Sequence, residues 1–243
     1  MHSKMKKPHL LLLHNGFQNA GTWDALLPRL SDLFHPHAPN RHGYDPHNEL
    51  VFPDSGAGET LDSIESGRLE LEQWIKNNIP EDEEYFIWGH CLGGAIASAY
   101  ASTAPRGLRG MLCEACGFFS NETLAHKAEL LVPPFEELPP EIQSSFREQH
   151  GHSRAERLWK IISTHRDSYI MNPDYSILNI LEKIEVPVIL WQGDRDPYFT
   201  PQHSRRALTH LQRGRLQIEP GGKHDMHNQF PLKGIDLVRD LPD

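Results

Sequence analysis

Cysteine, positive charge and long apolar runs are all scarce in this chain, and each scarcity excludes something. Cysteine occurs 3 times in 243 residues, an odd number too small for a disulfide framework, which suits a reducing compartment. The apolar run of residues 10–13 is too short for a secretion signal and leads straight into a loop without a small-residue cleavage site. No stretch approaches the roughly 20 apolar residues of a membrane span. Lys and Arg number 24 against 33 Asp and Glu, a formal net charge of -9, which argues against nucleic acid or an anionic membrane as partner and leaves a small-molecule substrate. There are no internal repeats or low-complexity tracts. Histidine is abundant, at 16, and His35, His37, His42 and His47 crowd one segment, but the paired ligand motifs of a zinc site are missing. These absences predict a cytoplasmic protein with no metal and no other cofactor; no pattern specifies an oligomeric state.

What is present is an ordinary globular composition, 38% hydrophobic and 23% charged, in a chain long enough for one sizeable core and short for two. Apolar runs alternate with helical patterns in a βαβα order, which predicts a mostly parallel sheet with helices on both faces. Strands are expected at residues 8–14, 33–38, 85–88, 108–113, 184–191 and 215–219. Helices are expected from Thr22, the first N-cap candidate, across Trp23, Leu26, Leu27 and Leu30, then at 60–79 with Leu61, Ile64, Leu71, Trp74 and Ile75 inward, at 95–104, at 202–211 and from 231. Between 117 and 172 the rhythm breaks. Pro133, Pro134, Pro139 and Pro140, several charges and weaker periodicity predict an inserted helical lid, leaving 1–116 and 173–243 as the core.

The most informative segment is Gly89-His90-Cys91-Leu92-Gly93, a sharp turn between an expected strand and a helix rich in small residues. It has the G-x-S-x-G pattern of a nucleophile turn, with cysteine in place of serine. A tight turn strains the nucleophile's backbone, and side chains at the flanking glycines would clash. The helix N-terminus that follows favours a thiolate and a developing oxyanion. An acid and a histidine follow in the chain order such chemistry uses: Asp196 in Gly193-Asp194-Arg195-Asp196-Pro197, and His224 in Gly221-Gly222-Lys223-His224. Asp194 and Glu114 are rivals for the acid, with Asp194 better suited to fastening a loop. The oxyanion donors are expected to be the backbone N–H of Leu92 and, from the loop after the first strand, that of Phe17. Asn15 and His90 are candidate substrate contacts, and Phe118 and Phe119 candidate pocket walls. Arg154, Arg157 and Arg166 are candidates for an anionic substrate, although solvated helix faces suit them better, and Cys113 and Cys116 read as buried thiols.

Through these segments the chain resembles the α/β-hydrolase superfamily over nearly its whole length. The residues that carry the resemblance are Asn15-Gly16-Phe17 with Trp23, Arg41-His42-Gly43, the Gly89–Gly93 turn, Gly193–Asp196 and Gly222–His224. The layout is similar to small lid-bearing members, and a cysteine nucleophile is shared with dienelactone hydrolases. The resemblance implies an α/β-hydrolase fold without the usual N-terminal strand pair, and hydrolysis of a small ester, lactone or thioester by Cys91, His224 and Asp196. Carbon–carbon bond cleavage, acyl transfer and non-catalytic ligand binding are the alternatives that the same fold allows.

Overall fold

A computed structural model describes residues 7–47, 64–164 and 169–241. The expected start of the second long helix at Thr60 and Leu61, and the candidate Arg166, lie outside the described residues.

Leu10 to Leu13 are all buried, the pattern of a strand covered on both faces, and they form β1 (His9–Leu13). The other strands are β2 (His35–His37), β3 (Tyr85–His90), β4 (Leu108–Glu114), β5 (Val188–Gly193) and β6 (Gly214–Glu219). They form one six-stranded sheet in the order β2-β1-β3-β4-β5-β6, and every pair is parallel. A parallel sheet sandwiched between helices needs apolar residues at successive positions of its central strands. The edge strands β2 and β6 lack a fully buried position.

Side chains alternate between the faces of a strand, so the sheet divides the core in two. Leu11, Leu13, Ile87, Met111 and Leu190 point one way, against α2 (Ile64–Asn78), α3 (Leu92–Ala101), α7 (Leu178–Leu181) and α8 (Pro201–Leu208). Leu10, Leu12, Phe86, Trp88, Leu112, Ile189 and Trp191 point the other way, against Trp23, Leu26, Leu30 and α9 (Pro231–Arg239). Every residue of α3 is buried, which its Gly and Ala content permits. Gly67 of α2 faces Ile96 so closely that a Cβ there would sit 2.5 Å from Ile96 Cδ1.

The helix expected from Thr22 is instead a 3-10 turn (Ala20–Trp23) and a single turn of α-helix, α1 (Leu27–Leu30). The cap is Asn19, whose side chain accepts the Gly21 N–H at 2.9 Å, and Pro28 restarts the helix at its first turn. Between β4 and β5 lie α4 (Glu122–Leu131), α5 (Pro140–His150) and α6 (Ala155–Thr164); α5 and α6 share a cluster with Phe135, Phe146, Leu158 and Trp159, while Ala128 of α4 packs with Ile170 and Phe199. Arg154 is buried and donates to the carbonyls of Gly43 and Asp45, so it ties this segment to the loop after β2 and leaves no head group for a substrate anion. No described helix is long and apolar enough to cross a membrane.

Candidate active site

Cys91 sits between β3 and α3 with φ 51° and ψ -114°, a conformation that costs an L-residue roughly 1–3 kcal/mol. The surroundings enforce it. Its N–H is held by Glu114 O at 2.8 Å. A Cβ on Gly89 would meet Gly94 Cα at 2.5 Å, and one on Gly93 would meet Leu13 O at 2.4 Å, so both flanking positions must be glycine. Leu92 opens α3, where backbone N–H groups have no intrahelical acceptor.

Two loops bring the acid and the histidine to this point. Asp196 is buried after β5. Its Oδ1 accepts the N–H of Tyr198 at 2.8 Å and of Phe199 at 3.1 Å; its Oδ2 accepts Gln192 Nε2 at 3.1 Å and His224 Nδ1 at 3.0 Å. Burial alone would raise its carboxyl, but the charge and hydrogen bond of His224 and the two backbone donors hold it below the usual range. The His224 loop follows β6 and is fastened to the Asp196 loop. Asp194 Oδ1 accepts Gly221 N–H at 2.7 Å, the loop-fastening role expected of it, and Arg195 N–H reaches Gly222 O at 2.9 Å. Burial alone would depress the His224 imidazole. The charges of Asp196 and Cys91, and the hydrogen bond to Asp196, reverse this and hold it well above its usual value.

The loop Asn15-Gly16-Phe17 is equally pinned. Arg41 Nη2 donates to Asn15 O at 2.9 Å, Tyr44 O–H to Gly16 O at 2.7 Å and His150 Nε2 to Phe17 O at 3.1 Å. The Phe17 N–H expected at the oxyanion is engaged by Asn15 Oδ1 at 2.7 Å, so an incoming oxygen must compete with that carboxamide for the proton.

A cavity of about 700 Å³ opens over Cys91 and His224. Asn15, Gln18, Phe17 and Leu92 line its floor side, and Val132, Ile142, Phe146, Trp159 and Ile162 of the segment between β4 and β5 line the other. Three expected contacts lie elsewhere. His90 is fully buried behind the turn, with Nε2 donating to His224 O at 3.1 Å. Phe118 and Phe119 pack into the core on the α3 side, Phe119 stacked on His203 at 4.0 Å. The walls are supplied instead by Phe146, Trp159, Tyr169, Tyr198 and Phe199, which no local motif marks.

Glu114 is not the acid partner of His224. It is buried with His227, accepting that residue's N–H and Nδ1 at 2.8 Å each and Trp88 Nε1 at 2.8 Å. Burial alone would raise its carboxyl; the charges of His227 and His90 and the hydrogen bonds of His227 hold it down. Among the described residues, His90, Glu114 and His227 are the one group with metal-ligating atoms within 4.8 Å. His227 Nδ1 is spent on Glu114 and its Nε2 on Thr22 Oγ1 at 2.9 Å, so the group closes on itself as a hydrogen-bonded brace. Cys113 and Cys116 are buried free thiols, as expected.

The fold has relatives. The model of the alpha/beta hydrolase family matches residues 10–235. The mouse serine hydrolase BPHL is 30% identical over 63 residues, a match spanning 26% of this chain and 22% of that protein. Among solved structures, MenH from S. aureus superposes with a TM-score of 0.72 at 16% identity, covering 99% of this chain and 96% of that one. The carboxylesterase CesB from Bacillus subtilis does so with 0.70 at 16%, covering 98% and 85%. At such identities these structures attest the fold.

Proposed function

For a chain that belongs to the alpha/beta hydrolase family, we propose a hydrolase of small esters or thioesters that works through an acyl group carried on Cys91. The observation that carries this reading is the Asp196–His224 pair at 3.0 Å, with His224 and Cys91 lining the same cavity. His224, held well above its usual value, is the base that takes the Cys91 proton and stays beside the sulfur as an imidazolium.

The thiolate attacks the carbonyl carbon, forming the C–S bond while the carbonyl π pair moves onto oxygen. The Leu92 N–H donates to that oxygen, joined by Phe17 N–H when the Asn15 carboxamide yields. Collapse restores the carbonyl and breaks the bond to the leaving group, which departs with the proton of His224. The neutral imidazole then takes a proton from water as the water oxygen attacks the thioester. The acid leaves, and thiolate and imidazolium are regenerated. Asp196 stays ionised throughout and fixes Nδ1–H on its side of the ring.

The cavity argues for a neutral, apolar acyl group. Among its described lining residues, Lys223 and Asp225 are the charged side chains besides the pair at its floor, and both lie on the same loop as His224. The helices between β4 and β5, within residues 117–172, act as the lid over this group. The three unbridged thiols suit an enzyme working in the cytoplasm.

The test is turnover of a panel of nitrophenyl esters and thioesters by the intact protein and by Cys91→Ala. Turnover that favours apolar over carboxylate-bearing acyl groups and falls by about 10³-fold or more in the variant is the expected result. Turnover that survives Cys91→Ala removes the proposal.

A further inference from the structure

Gly117, just past β4, is gripped by two tyrosines in opposite senses. Tyr175 O–H donates to Gly117 O at 3.2 Å, so its proton is spent. Tyr169 Oη instead accepts Gly117 N–H at 3.0 Å. A phenol that accepts through its lone pair still has its proton to give. The next polar atom within reach of that hydroxyl is Cys91 Sγ at 3.9 Å, long but within the range of contacts to sulfur. Phe199 packs closely on Gly117, where a Cβ would meet its Cζ at 2.7 Å. Tyr169 lines the cavity, and its ring is held edge-on by Tyr175 at 5.1 Å.

We infer that Tyr169 is a third functional side chain at the nucleophile, donating its phenolic proton to the Cys91 thiolate. Other titratable groups interact with the same sulfur: His224 from the loop after β6, Tyr198 from the loop after β5, Cys116 just past β4, and Tyr175. Of these, Cys116 is buried with its thiol directed at the carbonyls of Gly89 and Glu114, Tyr175 has spent its proton, and Tyr198 packs its ring on His224 at 4.8 Å. Burial, and after it the charge of Cys91, push the Tyr169 phenol well above its ordinary value, so it remains a donor across the working range. Two donors, an imidazolium and a phenol, hold the sulfur in place and share its charge. The phenol's share is withdrawn as the C–S bond forms and the sulfur loses its negative charge.

This rests on Cys91 being the nucleophile, and its test reads the thiol without needing turnover. The rate of iodoacetamide alkylation at the Cys91 peptide is followed by mass spectrometry against pH, with Cys113 and Cys116 as buried references. In Tyr169→Phe the midpoint moves up by about one pH unit, as expected when a donor to the charged form is lost. Turnover at neutral pH falls about tenfold and is regained in part at higher pH. Site-specific 3-fluorotyrosine at position 169, a stronger donor of the same shape, moves the midpoint down. A midpoint unchanged in both variants overturns the inference, as does a fall in turnover that higher pH does not relieve, which would mark Tyr169 as scaffold for Gly117. Failure of the acyl-enzyme reading looks different: turnover would persist in Cys91→Ala whatever the midpoints do.

Discussion

Replacing Asp196 with asparagine removes one charge and exchanges one acceptor for a donor at nearly constant size. Both carboxylate oxygens already receive two donors: Tyr198 N–H and Phe199 N–H on Oδ1, His224 Nδ1 and Gln192 Nε2 on Oδ2. An amide placed toward the backbone donors orphans two buried N–H groups, each worth about 1–3 kcal/mol. Placed toward His224, it drives the imidazole into the tautomer that carries its proton on Nε2 and cannot accept from the nucleophile or from water. Either orientation also deletes the charge that does most to raise His224 against its burial. Turnover should therefore fall by about 10³ to 10⁴ in kcat with little change in KM. The His224 imidazolium, followed by NMR of the ring, should titrate well above pH 6.5 in the parent and drop in the variant. Stability follows with a definite sign. A raised His224 contributes fully below its unfolded value of about 6.5 and loses that contribution as pH climbs through its folded value; a depressed Asp196 contributes above about 3.9 and fades in acid. The gap in denaturation midpoint between parent and Asp196→Asn should be widest near pH 5 to 6 and narrow on the alkaline side. Activity within tenfold of the parent, or an unmoved His224, would refute the assignment of Asp196.

Gly93→Ala places a methyl 2.4 Å from Leu13 O, backbone that cannot step aside, and should cost at least about 1–3 kcal/mol in chemical denaturation; an unchanged midpoint would mean the turn is not held as described. Glu114→Ala leaves His227 buried without its partner and should destabilise by about 3–5 kcal/mol. Because Glu114 is held below its usual range, that deficit should shrink as pH falls through its folded value, and a deficit that grows in acid would contradict the pairing. Asn15→Ala removes the acceptor that competes for Phe17 N–H. It should raise kcat about fivefold, the worth of one ordinary hydrogen bond; a tenfold fall would show that the carboxamide supports the loop instead.

Much of this arrangement can be read in the chain because it is local. Leu10 to Leu13 and Val188 to Trp191 announce strands buried on both faces, and the glycines at 89 and 93 announce a turn with no room for a side chain. Asp196 and His224 stand in the loops after β5 and β6, where their order in the chain matches their place in the fold. The misreadings concern direction and distance. His90 adjoins Cys91, but alternation along β3 turns it behind the turn, where it braces the His224 carbonyl. Phe118 and Phe119 follow β4 into the core and not into the cavity. Arg154 reads as a solvated lid residue, yet it is buried against carbonyls more than 100 positions earlier in the chain. Tyr169 and Trp159 carry no signal, because aromatic residues between weakly periodic helices serve a helix core as readily as a pocket wall.

The central claim is that an acyl group is carried on the sulfur of Cys91. The direct measurement is intact and peptide mass spectrometry of His224→Ala after brief exposure to a nitrophenyl ester with an apolar acyl group. That variant keeps the nucleophile but lacks the base for deacylation. The account predicts a mass increase equal to one acyl group on the Cys91 peptide, released by hydroxylamine and absent from Cys113 and Cys116. An adduct on another residue, or ester turnover by Cys91→Ala at the parent rate, would contradict it.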